Sequence, residues 1–149
     1  MDGVSPYLQM LAIRAISISP VDFGVLETGG ERTASMQYKI YKEGHSKCDG
    51  YDKLSYHQSG NALDLVPYIN GKFTWNDKQA FIDIYYALME AEKHLRHIYM
   101  IPDDIFIHHG LFWNWKDLDH DGVIEISDQL GWDAAHHEIR SVEQKTGLI

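Results

Sequence analysis

Cysteine, positive charge and long apolar runs are scarce in this chain of 149 residues. Cys48 is the single cysteine, so no disulfide can form within the chain and the fold does not depend on oxidation. No segment approaches the ~20 apolar residues that a membrane-spanning helix needs. The N-terminal segment lacks the basic start and the continuous apolar stretch of a secretory signal. We therefore expect a protein that is made in a cytoplasm and does not insert into a membrane.

Acidic residues outnumber basic ones, with 22 Asp and Glu against 13 Lys and Arg and a net charge of −9. No basic block offsets this excess, which argues against a nucleic acid as the partner. Hydrophobic residues make up 44% and charged residues 23%, as in ordinary globular proteins. The length predicts one domain, residues 1–149. Nine histidines are the unusual feature, because neutral imidazole is the commonest metal ligand.

The apolar pattern and the turn signals predict helices and short strands that interleave without the regular spacing of a parallel sheet. This order favours an α+β fold with a small, mostly antiparallel sheet and flanking helices. Ser5 is the expected cap of the first helix, and Asn70-Gly71 is a strong hairpin signal. The predicted helices are 6–18, 31–44 and 77–100, and the predicted strands are 22–28, 61–69, 72–75, 104–109 and 135–140.

The stretch SYHQSGNALDLV, which begins at Ser55, has a carboxylate where a strand should bury an apolar side chain. His57 ends a loop, and Asp64 follows inside the predicted strand. A buried carboxylate is costly unless it is paired or bound to a metal. Metal ligation is therefore one interpretation of the pair. The other is that Asp64 caps a neighbouring turn and His57 is an ordinary loop histidine.

The segment WDAAHHEIR near the C-terminus places Asp133 before the adjacent histidines His136 and His137. Catalytic zinc takes three protein ligands and keeps a fourth position open. His57 and Asp64 with either of the two histidines would complete such a set, and the spacing leaves both histidines open. A nearby carboxylate that is not a ligand would be suited to take a proton from the attacking water.

SYHQSGNALD resembles the S-x-H-x-x-G-x-A-x-D signature of zinc peptidoglycan peptidases, and DAAHHE resembles their D-x-x-H-x-E element. This group includes the vancomycin-resistance D-alanyl-D-alanine dipeptidases and carboxypeptidases and the phage L-alanyl-D-glutamate endolysins. The endolysins are the most similar, because SPVDFGVLETGGERTA, HQSGNALDLVPYINGKFTWND and the DAAHHE ending look like theirs in order and spacing. The resemblance extends from about Val4 to Ile139 and implies a fold of the hedgehog and D,D-peptidase kind.

The resemblance also implies roles for individual residues. His57, Asp64 and His136 match the zinc ligands of the family. Asp133 matches the general base, which takes a proton from the attacking water. Arg32, in GGERT, matches an arginine that stabilises developing charge on the scissile carbonyl oxygen, a role that suits a guanidinium with several fixed donors. Without such a role, a cation at a helix start would be slightly unfavourable.

Three further residues near the motifs have weaker assignments. The family often has proline before the last ligand histidine and an aromatic residue after it, whereas this chain has Ala135 and His137. His137 should face the other side of the strand from His136, so we expect it not to bind the metal. Glu138 shares the His136 face and is expected either to orient a ligand histidine or to form a surface salt bridge. Ser55 matches a family position near the substrate, or simply forms a turn.

The segment DLDHDGVIEISD matches the pattern of an EF-hand calcium loop. Alternate carboxylates suit calcium, a hard ion that takes six to eight oxygens, and Gly122 at the sixth position allows a sharp turn. Asp128 replaces the usual glutamate at the twelfth position, which predicts a lower affinity or a smaller ion. The alternative is a solvated acidic loop. The expected ligands are Asp117, Asp119, Asp121, Val123, Glu125 and Asp128.

Some phage endolysins of this type carry a calcium loop between their two zinc motifs. By resemblance, residues 113–130 are an insertion in the peptidase domain, and calcium would activate the enzyme by positioning Asp133 and His136.

The predicted function is a zinc metallopeptidase that cuts the L-alanyl-D-glutamate bond of bacterial peptidoglycan during host cell lysis. We expect a monomer that stays in the host cytoplasm until holin-dependent release and then acts on the wall in the periplasm. A D-alanyl-D-alanine carboxypeptidase or dipeptidase with the same zinc centre is the alternative. A binding module like the hedgehog domains is a third interpretation, against which Asp133 and Arg32 argue.

Overall fold

The computed structural model describes residues 1–141, which form three α-helices and six short strands. The domain prediction extends to 149, and its last eight positions lie outside the described residues. The helices are α1 (Pro6–Ile16), α2 (Ala34–Lys42) and α3 (Lys78–His97), and two 3₁₀ turns span Tyr56–Ser59 and Gly110–Phe112. The strands are β1 (Phe23–Gly24), β2 (Ala62–Asp64), β3 (Val66–Ile69), β4 (Lys72–Phe73), β5 (Phe106–His109) and β6 (His136–Arg140).

Each helix begins at a side-chain cap. Ser5 Oγ accepts a hydrogen bond from the backbone N–H of Tyr7, and Pro6 occupies the first helical position. Thr33 caps α2, and Asp77 caps α3 by accepting from the N–H of Ala80 at 3.0 Å. The predicted start of the first helix is therefore confirmed. The third helix ends at His97, before the predicted Met100, because Tyr99 adopts a positive φ of 62°.

The main core lies between α1, α3 and the strand that carries the metal-site motif. Fully buried leucine and isoleucine side chains each contribute about 1.5–3 kcal/mol by leaving water. These side chains sit at helical spacing on α1 and α3, which is why both helices were recognisable from the sequence. The shared buried set is Leu8, Leu11, Ala12, Ala15, Leu63, Leu65, Ile84, Ala87, Leu88 and Ala91.

Two three-stranded antiparallel sheets form, in the orders β1-β3-β4 and β2-β6-β5. The α+β prediction with antiparallel strands is confirmed. The prediction of one continuous strand over 61–69 is wrong, because the chain leaves the second sheet after Asp64 and enters the first at Val66. At the crossing, the N–H of Leu65 donates to the carbonyl oxygen of Ala135. Apolar periodicity continues through this change of partner, so the sequence could not show it.

The hairpin between β3 and β4 turns at Asn70-Gly71, as predicted. Both residues have positive φ angles, 52° and 80°, which a tight hairpin turn requires. The predicted strand over 22–28 is shorter in the structure, because β1 ends at Gly24 and the N–H of Gly29 closes a turn on Leu26. Within the described residues, no helix has the length and apolar character to cross a membrane.

Candidate metal centre and active site

Three separate elements bring His57, Asp64 and His136 together. His57 lies in the 3₁₀ turn before β2, Asp64 ends β2, and His136 begins β6. The antiparallel register of β2 and β6 pairs Asp64 directly with His136. Gly60 ends the 3₁₀ turn at a φ of 73°, and a Cβ there would overlap the carbonyl oxygen of Gly3. A glycine is therefore required at this position of the signature, because a side chain would prevent the turn that carries His57 from packing against Gly3.

The three donor atoms form a nearly equilateral triangle. His57 Nε2 lies 3.2 Å from His136 Nδ1 and 3.3 Å from Asp64 Oδ1, and His136 Nδ1 lies 3.2 Å from the same oxygen. Zinc bonds of about 2.0–2.1 Å in a tetrahedron place neighbouring ligand atoms about 3.3 Å apart. The triangle therefore fits three ligands of one zinc ion, with the fourth direction open.

Each histidine has a partner on its other nitrogen. His57 Nδ1 lies 2.9 Å from the carbonyl oxygen of Gly30, so it carries the proton and leaves Nε2 as the donor to a metal. His136 Nε2 lies 2.9 Å from Glu138 Oε1, which leaves its Nδ1 for the metal. Glu138 is 2% exposed and also accepts from Arg140 Nε at 2.6 Å. This geometry is that of an orienting carboxylate rather than a surface salt bridge.

Asp64 is held as an anion. Burial alone would raise its pKa, but the hydrogen bonds from His136 and His57 outweigh burial and keep the pKa well below its ordinary value. Arg32 Nη2 adds an ion pair at 3.2 Å to the second carboxylate oxygen. Burial lowers the pKa of His136. The hydrogen bonds to Asp64 and Glu138 outweigh burial and raise this pKa to about 9.

Arg32 is anchored on three sides. Its Nε donates to the carbonyl oxygen of Thr28 at 2.6 Å, its Nη1 to Gln37 Oε1 at 3.0 Å, and its Nη2 to Asp64. Gln37 is completely buried, and its Nε2 donates to Ser46 Oγ and to the carbonyl oxygen of Cys48. The guanidinium is thus fixed beside the triangle by a buried amide.

Asp133 lies in the loop just before β6, and its carbonyl oxygen accepts from the N–H of His136 at 3.1 Å. Burial and the negative charge of Asp64 raise the pKa of Asp133 to about 6, against the opposing charges of His136, His57 and Arg32. Gly110 packs so closely that a Cβ there would overlap the Asp133 carbonyl oxygen. A carboxyl with a raised pKa beside three metal donors is suited to proton transfer.

His137 faces the other side of β6, where its Nδ1 lies 2.8 Å from His109 Nδ1. His137 is buried and His109 is half-buried, and removal from water lowers the pKa of each histidine, to about 4 for His109. The pair is therefore neutral, and one ring donates to the other. Ser55 caps the 3₁₀ turn, since its Oγ accepts from the N–H of His57, so its side chain serves local structure.

The acidic segment 117–128 closes on itself, with a bridge between Lys116 and Gln129 at its base. Its carboxylates form two overlapping groups that share one residue, Asp119. Asp117 and Asp128 belong to the first group, and Asp121 and Glu125 to the second. All five of these predicted calcium ligands are thus brought together, while a role for the backbone of Val123 stays a prediction.

Two details of this segment fit an oxygen-seeking cation. Asp117 Oδ1 is buried and has no hydrogen-bond partner among the described residues. Contact with the carboxylate of Glu125, burial and Asp117 raise the pKa of Asp119. Asp128, at the twelfth position, is 1% exposed and already accepts from Trp115 Nε1 and from the N–H of Leu118. This carboxylate therefore holds the segment together from inside.

Sequence reasoning missed Gln37, the carbonyl of Gly30, and Trp113, whose ring packs 4.9 Å from that of His136. None of them lies in a motif. Gln37 is the buried residue of α2, and its burial depends on tertiary packing, so the sequence offered no signal for it.

Comparisons with known proteins identify the family of the chain. A family model described as phage L-alanyl-D-glutamate peptidase matches residues 1–139. The L-alanyl-D-glutamate peptidase of Escherichia phage T5 is 36% identical over 120 residues, which are 80% of each chain. The crystal structure of the Serratia marcescens L-Ala D-Glu endopeptidase ChiX has the same fold, with a TM-score of 0.65 and 22% identity over 97% of this chain and 84% of that chain. The chain belongs to the phage L-alanyl-D-glutamate peptidase family.

Proposed function

We propose that the protein is a zinc-dependent endopeptidase that hydrolyses the L-alanyl-D-glutamate bond in the stem peptides of bacterial peptidoglycan. The equal spacing of the donor atoms of His57, Asp64 and His136 is the observation that carries this proposal. Family membership supports the scissile bond, and the half-buried Asp133, whose pKa is raised, supports hydrolysis.

When bound, a zinc ion supplies Lewis acidity that polarises the scissile carbonyl of L-alanine and acidifies the attacking water. In this proposal Asp133 takes the proton of that water and passes it to the amine of D-glutamate as the C–N bond breaks. Its raised pKa suits both steps, because the group binds and releases a proton near neutral pH.

Arg32 contributes positive charge next to Asp64. A guanidinium has five N–H donors, and three of its nitrogens already donate one bond each within the described chain. A contact with the scissile carbonyl oxygen therefore depends on the remaining N–H groups. Anchoring by Gln37 keeps these groups in a fixed direction, which favours electrostatic stabilisation of developing charge.

Calcium binding at segment 117–128 is the second part of the proposal. Two observations support it: Asp117 Oδ1 has no hydrogen-bond partner among the described residues, and the neighbouring carboxylates of Glu125 and Asp117 raise the pKa of Asp119. A bound cation would accept the free oxygen as a ligand and would offset the repulsion between the carboxylates. Four residues separate Asp128 from Asp133, so ordering the segment would position the base. If zinc-loaded, calcium-free protein is as active as calcium-loaded protein, the regulatory part is wrong.

We further propose that the enzyme acts as a monomer on the periplasmic cell wall, after holin-dependent release from the host cytoplasm. Membership of a phage family supports this order of events.

Product mapping on purified peptidoglycan tests the reaction. Mass spectrometry should find glycan that ends in L-alanine and released peptides that begin with D-glutamate. Release of D-alanine alone would assign the protein to the carboxypeptidases instead. Prior treatment with a zinc chelator should abolish the expected products, and added zinc should restore them.

Asp133→Asn tests the base separately from the metal. The variant should keep stoichiometric zinc in elemental analysis and lose turnover by about 10²–10⁴-fold, the usual contribution of a general base. Loss of zinc in Asp133→Asn would show that Asp133 is a ligand and that its assigned role is wrong.

A further inference from the structure

A cleft of about 270 Å³ opens directly beside Asp133. Its walls come from the segment before α3, from α3 itself and from the segment that leads into β6. Trp75, Asn76, Phe81 and Trp132 line it together with Asp133. A ligand in this cleft would therefore touch the proposed base, which makes the cleft continuous with the catalytic centre.

Two tryptophans of the cleft leave more than half of their surface exposed. Trp75 is 56% exposed and Trp132 is 68% exposed. Exposed apolar side chains that share one cleft are typical of binding sites, whereas single exposed apolar residues are ordinary. An indole also combines a flat apolar face with a polar N–H at its edge.

Trp132 is exposed but firmly placed. Its backbone N–H donates to the carbonyl oxygen of Trp113 at 3.1 Å, and the backbone N–H of Gly131 donates to the carbonyl oxygen of Leu111. The rings of Trp132 and Trp113 pack at 5.1 Å, and Trp113 in turn contacts His136. A row of aromatic rings thus connects the metal centre to the cleft.

The charge of the cleft favours a neutral ligand. Lys78 is the cationic residue of the lining, and its ammonium contacts the carbonyl oxygens of Ile126 and Asp128. Asp133 would repel a carboxylate. The anionic D-glutamate side of the substrate therefore fits this cleft poorly.

The proposed substrate has a neutral, ring-shaped group on the other side of the scissile bond. In peptidoglycan the amine of L-alanine is joined to the lactyl group of N-acetylmuramic acid. One amino acid, which spans at most about 3.6 Å, and one lactyl group thus separate the bond from the sugar. Any pocket for this sugar has to adjoin the catalytic centre, as the cleft does.

We propose that the cleft binds the N-acetylmuramic acid residue that carries the stem peptide. The sugar ring stacks on Trp132 and Trp75, and the exposed amide of Asn76 hydrogen-bonds to its acetamido or hydroxyl groups. The inference rests on the proposed function, and it assigns the glycan side of the substrate to a defined surface.

The test compares two substrates that share the scissile bond: the free stem peptide, and the same peptide attached to N-acetylmuramic acid. The parent enzyme should cleave the muramyl peptide with the higher kcat/KM. Trp132→Ala and Trp75→Ala should each reduce this preference by about tenfold, which corresponds to 1.4 kcal/mol. Tyr99→Ala, at a residue that is 92% exposed and outside the cleft, is the matched control and should keep the preference.

A binding measurement does not depend on turnover. Titration of the zinc-loaded Asp133→Asn variant with N-acetylmuramyl-L-alanine should give a saturable change in tryptophan fluorescence. Adding Trp132→Ala should weaken this binding about tenfold, and Trp132→Phe should restore part of it. Trp75→Ala provides the same test if the changes at 132 impair folding.

The outcomes separate the two proposals. If the parent enzyme cleaves neither substrate at the L-alanyl-D-glutamate bond, the proposed function is wrong. If it cleaves both equally well, or if the tryptophan variants lose both activities in the same proportion, the enzyme is a peptidase and the sugar assignment is wrong.

Discussion

The metal centre and the acidic segment 117–128 assemble their donors in opposite ways. His57 and His136 are 79 positions apart and meet only through the pairing of β2 with β6. The acidic groups come from one short, mostly exposed segment. There the N–H of Gly122 donates to Asp117 and the N–H of Val123 donates to Asp121, so neighbouring backbone holds the carboxylates.

The partners of the donors differ in the same way. At the metal centre, Gly30 holds His57 and Arg32 holds Asp64 from other segments of the chain, and Glu138 holds His136 from two positions along the same face of β6. Such outer partners fix ring orientation before a metal arrives. The acidic segment has its own backbone for this purpose, and two of its carboxylates crowd a third. The first site is thus held largely by partners from distant segments, whereas the second is held by its own backbone.

His57→Ala gives the largest expected effect, because it removes one corner of a buried triangle. Zinc should be lost in elemental analysis, and peptidoglycan cleavage should fall by about 10³-fold or more. His45→Ala, at an exposed loop histidine, should change neither quantity. Retention of full zinc by the His57 variant would contradict the triangle.

Glu138→Gln tests the outer partners of the centre. The variant keeps the shape of the side chain but weakens the bond to His136 Nε2, so zinc affinity should fall by about 10–100-fold. Competition with a chromophoric chelator measures the affinity. Glu90→Gln on the exposed side of α3 is the matched control. Equal affinities in the two variants would mean that Glu138 does not orient the ligand.

Asp119→Asn tests the other half of the comparison, because Asp119 is shared by both acidic groups. Calcium affinity measured by calorimetry should fall by about tenfold or more, since ligand charge sets the affinity of such loops. Zinc content should stay stoichiometric. A simultaneous loss of zinc would show that the two regions are not independent.

Asp49→Ala gives the smallest expected effect. Asp49 is a carboxylate that is held by neighbouring backbone N–H groups and has no predicted ion, so it shows what such hydrogen bonds contribute alone. Hydrogen bonds from the N–H groups of Lys53 and Tyr51 lower the pKa of Asp49. A lowered pKa stabilises the fold above the pKa of the unfolded chain, about 3.9, and this contribution disappears as pH falls through the folded value. The variant should therefore melt slightly below the parent at pH 7, and the difference should shrink below about pH 4. A difference that persists at low pH would mean that the carboxylate charge is not the cause.

Much of the fold could be predicted because its signals are local. Ser5-Pro6 at a helix start, Asn70-Gly71 at a hairpin and the apolar spacing of α3 each depend on a few neighbouring residues. The division of 61–69 into β2 and β3 was missed, because each half pairs with a strand that is distant in the sequence. Local periodicity contains no information about that choice of partner.

The sequence by itself determined the types of donor, their approximate position on strands and turns, and the family to which they belong. It left His136 and His137 equivalent by spacing. The tertiary structure decided between their positions, because the register that pairs Asp64 with His136 turns His137 toward His109. It also decided that Gln37 and Glu138 hold the centre and that Trp75 and Trp132 share one cleft. Such relations arise from packing between distant segments, and no local pattern encodes them.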